Sequence, residues 1–152
     1  MEQKKQGGFL ISKIHQLAGR IFTKKLKEHD LSELNSAQGR IIFVLWQHEG
    51  ITLQELAQKT SLEKSTLSRM LDRLEHTGYL QRIPLSDDRR KTIIKLTSRN
   101  EELKGAYSDV SNDMLNLFYK GFSEEEIDTF EAFLTRVYEN LSLFEDQSKK
   151  GV

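Results

Sequence analysis

Lys64-Ser65-Thr66-Leu67-Ser68-Arg69-Met70-Leu71-Asp72-Arg73-Leu74-Glu75-His76-Thr77-Gly78-Tyr79-Leu80-Gln81-Arg82 changes its hydrophobic period at a glycine, and that change decides the fold. Before Gly78, the residues Leu67, Met70, Leu71 and Leu74 recur at steps of three and four, which is the spacing of one helix face. The pattern predicts a helix over 63–77, with Gly78 supplying the left-handed residue that stops it. After Gly78, residues 79–83 and 91–96 are short β-capable runs. Residues 84–90, with Pro84, Ser86, Asp87 and Asp88, read as the turning connector of a two-stranded hairpin with a charged tip.

Working outward, Thr52-Leu53-Gln54-Glu55 fits a capping box opening a short helix that buries Leu53, Leu56 and Ala57 and ends near Thr60 and Ser61. Upstream, Leu10, Ile14, Leu17, Ala18 and Ile21 mark one amphipathic helix. Ala37, Ile41, Val44, Leu45 and His48 mark another after Asn35 or Ser36 as N-cap. Downstream, a helix over 101–119 carries Leu103, Tyr107, Val110, Met114 and Leu117. Ser123-Glu124-Glu125-Glu126 is a second capping box, opening a helix over 123–145 with Ile127, Phe130, Leu134, Val137, Leu141 and Phe144 at alternating steps of three and four. The expected fold is mainly α with a small β-hairpin wing. It forms a single domain over 1–152, in which a winged helix-turn-helix part at 35–97 is flanked by helical dimerisation parts at 8–30 and 100–147.

Composition narrows the function. There is no cysteine, so disulfides, thiolate metal sites and cysteine nucleophiles are excluded. His15, His29, His48 and His76 have no spacing of three or four that sets two on one helix face, so no metal is expected. No Gly-rich phosphate loop or G-x-S-x-G elbow is present, and neither an enzyme nor a cofactor is expected. No apolar run approaches the ~18 residues of a membrane span. The N-terminus lacks an apolar stretch before a small-residue cleavage site, so a cytoplasmic location is expected.

Charge is segregated although the 23 Lys and Arg match the 23 Asp and Glu overall. Residues 59–99 carry 10 basic and 5 acidic side chains, and residues 100–147 carry 3 and 12. A basic middle on a repelling body suits a polyanion, and it equally describes an ordinary solvated charge run. On the helix over 63–77, the side opposite the leucines presents Ser65, Arg69, Asp72 and His76, flanked by Thr66, Ser68 and Arg73. Small hydroxyls allow close approach to base edges and phosphates, and Arg69 is long and planar enough to grip guanine or phosphate with two bonds. At the hairpin tip, Asp88, Arg89, Arg90 and Lys91 form either a polar loop or a minor-groove contact, with Asp88 holding the Arg90 guanidinium in one orientation.

Residues 53–97 resemble the MarR family of bacterial winged-helix regulators. Leu74-Glu75-His76-Thr77-Gly78-Tyr79-Leu80-Gln81-Arg82 is similar to the family's helix end and first wing strand. Asp88-Arg89-Arg90 followed by Leu96-Thr97 matches its Asp-x-Arg then Leu-Thr wing signature, and Lys64-Ser65-Thr66-Leu67-Ser68-Arg69 resembles the start of its recognition helix. The resemblance implies a homodimer that binds pseudo-palindromic double-stranded operator DNA, usually represses, and releases DNA when a small molecule occupies a cleft. DNA contacts are expected from Lys64, Ser65, Thr66, Ser68, Arg69, Arg73, Asp88, Arg89, Arg90 and Lys91.

The dimer seam is expected at Leu10, Ile14 and Leu17 with Ile127, Phe130, Leu134, Val137, Leu141 and Phe144, although intramolecular packing explains the last helix equally well. His15, Phe43 and Trp46 are candidates for a cleft taking an aromatic or amphipathic effector, against the commoner fate of helical aromatics as core. A winged-helix module that contacts a protein partner rather than DNA is the competing function.

Overall fold

The structure is a computed structural model that describes residues 4–150 except 86 and 87, and at 88–90 the backbone alone. Among the described residues, six helices and three strands follow in the order α1 (Gly7–Glu28), α2 (Ser36–Trp46), β1 (Ile51–Thr52), α3 (Leu53–Thr60), α4 (Lys64–His76), β2 (Leu80–Leu85), β3 (Asp88–Leu96), α5 (Arg99–Phe118) and α6 (Glu124–Lys150). The fold is mainly helical with a small antiparallel sheet in the order β1-β3-β2. The chain packs as two compact units, Met1–Asn112 and Asp113–Val152.

In the first unit, Ile41, Ile42 and Leu45 of α2, Leu56 of α3, and Leu67, Leu71 and Leu74 of α4 are buried together with Leu80 and Ile94 of the sheet. The leucine face of α4 thus anchors it, and at roughly 1.5 to 3 kcal/mol per fully buried aliphatic side chain this stripe outweighs the helix's indifferent intrinsic propensity. Gly78 stops α4 with φ of 86°, and α3 ends on Ser61 in the same left-handed region.

Four details differ from the sequence reading. The reciprocal capping box of the first unit lies at α2: Asn35 Oδ1 accepts from the Gln38 N–H at 2.9 Å, and Gln38 Oε1 accepts from the Asn35 N–H at 3.1 Å. At α3 only half of the expected box forms, with Thr52 Oγ1 accepting from the Glu55 N–H at 3.2 Å, because Thr52 also belongs to β1, opposite Ile93. His48 lies beyond the end of α2, which stops at Trp46 with Gln47 as its C-cap. The connector between the wing strands is shorter than 84–90, since β2 runs through Pro84 to Leu85 and β3 starts at Asp88. Pro84 is tolerated where the register breaks: it stands opposite Thr92 while Leu85 stands opposite Asp88, so Arg89, Arg90 and Lys91 fall inside an irregularity.

Tyr107 of α5 is the aromatic centre of the first unit, edge-on to Trp46 at 4.9 Å and to Phe22 at 5.7 Å. Burial pushes its phenol up to about 12. Gly39 of α2 is what admits it, because a Cβ there would sit 2.8 Å from the Tyr107 hydroxyl. Gly39→Val is expected to lower unfolding stability by about 1–3 kcal/mol through overpacking. Urea denaturation checks this as a reduced midpoint at unchanged slope. An unchanged midpoint would mean that the Tyr107 ring is free to move aside.

In the second unit α6 opens on the expected box, Ser123 Oγ accepting from the Glu126 N–H at 3.2 Å and Glu126 Oε1 from the Ser123 N–H at 2.9 Å. Phe118, Tyr119, Phe122 and Phe130 form an aromatic cluster with centroids 4.9 to 6.3 Å apart. No residue of α6 is buried.

Candidate nucleic-acid interface

α4 divides cleanly. Leu67, Leu71 and Leu74 are buried, while Lys64, Ser65, Arg69, Arg73 and His76 are exposed and Thr66 and Ser68 are half-buried. Its N-cap residue Glu63 is extended and makes no side-chain capping bond. The positive end of the helix dipole beside Lys64, Ser65 and Thr66 suits a phosphate or a base edge.

Asp72, read from the sequence as part of the open face, is engaged. Its carboxylate accepts from Arg82 Nη2 at 2.5 Å, and the same guanidinium bonds Glu75 Oε1 at 3.0 Å. The Arg82 backbone N–H also donates to Glu75 Oε2 at 2.9 Å. The side-chain bond from Arg82, followed by the backbone bond, holds the Glu75 carboxyl below the usual carboxylate range. Arg82 therefore clasps the first wing strand to α4, fixing the wing's angle to the helix. Sequence reasoning missed this role: Asp72 and Glu75 are three apart on one helix face, but their partner lies across the Gly78 turn.

A second tie closes the far end of the wing. The Thr97 hydroxyl donates to the Gly78 carbonyl, and the Thr97 N–H donates to the Tyr79 carbonyl at 3.0 Å. The Arg99 guanidinium donates to the Thr77 carbonyl at 2.5 Å and to Glu33 Oε2 at 3.1 Å while stacking 4.8 Å over the Tyr79 ring. The Tyr79 hydroxyl donates to Glu33 Oε2 at 2.6 Å, and burial, then this bond, pushes the phenol up to about 12. The helix end and both ends of the wing are thus held by hydrogen bonds around Gly78.

On the wing itself Lys91 is exposed. The expected pairing of Asp88 with Arg90, and the side chain of Arg89, lie outside the described residues.

The three effector candidates are differently placed. His15 Nδ1 accepts from Arg40 Nη2 at 3.3 Å on the surface, Phe43 is 49% exposed, and Trp46 is half-buried with its indole N–H donating to Asn100 Oδ1 at 2.5 Å. A cavity of about 730 Å3 in the first unit has none of the three in its lining.

Of the seam residues, Leu10, Ile14 and Leu17 on α1 and Val137, Leu141 and Phe144 on α6 are exposed, and Ile127, Phe130 and Leu134 are half-buried. No helix among the described residues is long and apolar enough to cross a membrane, and no three of their His, Asp or Glu side chains gather as metal ligands.

Comparison with known proteins fits this geometry. Residues 34–92 match the MarR family. The chain is 31% identical over 120 residues to the transcriptional repressor YetL of Bacillus subtilis, covering 74% of this chain and 69% of that one. Similarity to the transcriptional regulator TtmR of Methylorubrum extorquens is 34% over 87 residues, spanning 57% of this chain and 43% of that protein. A crystal structure of a mutant MarR from E. coli complexed with operator DNA superposes with a TM-score of 0.75 at 28% identity, covering 86% of this chain and 91% of that one. With the recognition-helix and wing architecture in place and similarity extending over most of the chain, the chain belongs to the MarR family and is a winged helix-turn-helix transcriptional regulator.

Proposed function

We propose that this chain is a homodimeric repressor in the cytoplasm, a regulator rather than an enzyme, that binds a pseudo-palindromic operator. In this reading a winged part at 35–97 carries the DNA contacts and the helical parts at 8–30 and 100–147 carry the dimer. α4 enters the major groove with Lys64, Ser65, Thr66, Ser68, Arg69 and Arg73, and the wing reaches the minor groove with Arg89, Arg90 and Lys91, Asp88 orienting Arg90.

The observation that carries the reading is the exposed, cationic face of α4 set back to back with its buried leucine face, with the wing strand clasped to the same helix by Arg82. A solvated helix has no need of a fixed hairpin beside it, whereas reading two grooves at once requires a fixed angle. The operator relatives of the MarR kind support the same reading. A small aromatic or amphipathic effector that favours misplaced recognition helices would release the DNA, and linkage then requires DNA to weaken effector binding equally.

Two recognition helices related by a two-fold axis enter successive major grooves on one side of the duplex. Half-site centres are therefore expected about 10 base pairs apart, or a multiple of that. Selection of bound fragments from random DNA, followed by footprinting, checks this. A single unrepeated half-site at stoichiometric binding would contradict the dimer geometry, and selection of no sequence at all would favour a winged-helix module that contacts protein.

A further inference from the structure

The cavity of about 730 Å3 lies between the end of α1, the connection to α2 and the C-terminal part of α4. Five ionisable side chains line it: Lys27, Glu33, Asp72, Arg73 and His76. The two carboxylates already have partners inside the protein. Glu33 accepts from Tyr79 and Arg99, and Asp72 accepts from Arg82. The lining amides of Asn35 and Gln38 are engaged in capping α2. The side chains of Lys27, Arg73 and His76 have no hydrogen-bond or ion-pair partner among the described residues. With the partnered groups set aside, the donors left over in the lining are an ammonium, a guanidinium and an imidazole, beside two carboxylates already paired with Arg82 and Arg99.

We propose that this cavity binds a small organic phosphate. Arg73 on α4 offers the planar fork that matches two phosphate oxygens, and Lys27 on α1 offers a point charge. A phosphate monoester, with close to two negative charges, neutralises both, whereas a monocarboxylate leaves one cation uncompensated. The volume falls within the ~300–1,000 Å3 of small-molecule sites and exceeds what a bare phosphate fills, so the ligand carries an organic group.

The consequence for regulation rests on the DNA-binding reading above: a ligand that recruits Arg73 removes it from the operator and bridges α4 to the α1–α2 connection. The binding itself does not depend on that reading. His15, Phe43 and Trp46 take no part in it.

The test is titration of phenyl phosphate into the full chain in a phosphate-free buffer, followed by calorimetry and by amide shifts, with inorganic phosphate and benzoate as comparison probes. Phenyl phosphate is expected to bind once per chain, to shift the amides of Ser32 and His76, and to bind at least about tenfold more tightly than benzoate. Lys27→Ala and Lys27→Gln remove a charge from an exposed helix position outside the DNA-contacting set, and both are expected to weaken phenyl phosphate about tenfold while leaving ligand-free operator affinity unchanged. Benzoate binding as tightly as phenyl phosphate, or phenyl phosphate binding undiminished by either substitution, would overturn the assignment. So would an absence of phenyl phosphate binding, and if Lys27→Ala then lowers operator affinity and the salt slope by about one per subunit, the cavity is a contact for a DNA backbone phosphate instead. Because the titration is made on free protein, a failure to find any operator leaves its outcome intact.

Discussion

Val137→Asp and Leu141→Asp, made separately, should each convert the dimer to a monomer at micromolar concentration and reduce operator affinity at least about a hundredfold. The positions are 43% and 66% exposed within one chain, and Phe144 beyond them is 71% exposed. A row of apolar side chains left open by its own chain, on a helix with no fully buried residue, suits the dimer seam proposed above. Exposure also separates two outcomes. A charge placed at an exposed position leaves the fold of the single chain intact, whereas in a desolvated seam an unpaired carboxylate costs several kcal/mol and occurs twice under two-fold symmetry. Losing the dimer then removes the linkage between two half-sites, so the operator meets monomers one at a time. Sedimentation equilibrium reads the association and thermal melting reads the monomer fold. A stable dimer of unchanged affinity in both variants would place the seam elsewhere.

How much of this was legible in the sequence depends on whether the signal was periodic or pairwise. The leucine face of α4, the Gly78 stop and the long helices were readable because burial imposes a spacing of three and four that no other force imposes. β1 was not, since two residues paired with Ile93 and Ile94 have no period to detect. The capping box at Asn35 is legible only as an N-cap, because Asn and Gln carry out in amide form what the more familiar Thr and Glu template suggests at residues 52–55, where the reciprocal bond does not form. Trp46 is a ligand candidate on its residue type alone, and its half-buried ring against Tyr107 follows from the position of α5, which lies 54 residues away at Asn100. The Arg82 clasp and the cationic cavity depend on which charges find partners in three dimensions, and a composition of equal charges cannot express that.

The second large effect separates two kinds of DNA contact. Arg69 stands exposed on α4, opposite the buried leucines. Arg69→Ala is expected to cost ~1–3 kcal/mol for each specific contact and to relax preference at the positions it reads, because a guanidinium donating two bonds to one base edge discriminates against the others. Arg90→Ala should act differently, weakening many sequences alike and reducing the salt slope by about one per subunit if the residue neutralises one phosphate. Asp88→Ala gives the sharper sign. Removing a negative charge from a DNA-contacting wing should tighten binding if the field alone matters. If Asp88 holds the Arg90 guanidinium in the orientation a narrow groove accepts, its loss instead weakens binding, as a milder form of Arg90→Ala. Operator affinity of the Asp88→Ala protein across a salt series distinguishes the two: weaker binding at low salt supports orientation, and tighter binding at every salt concentration leaves Asp88 as a repelling charge only.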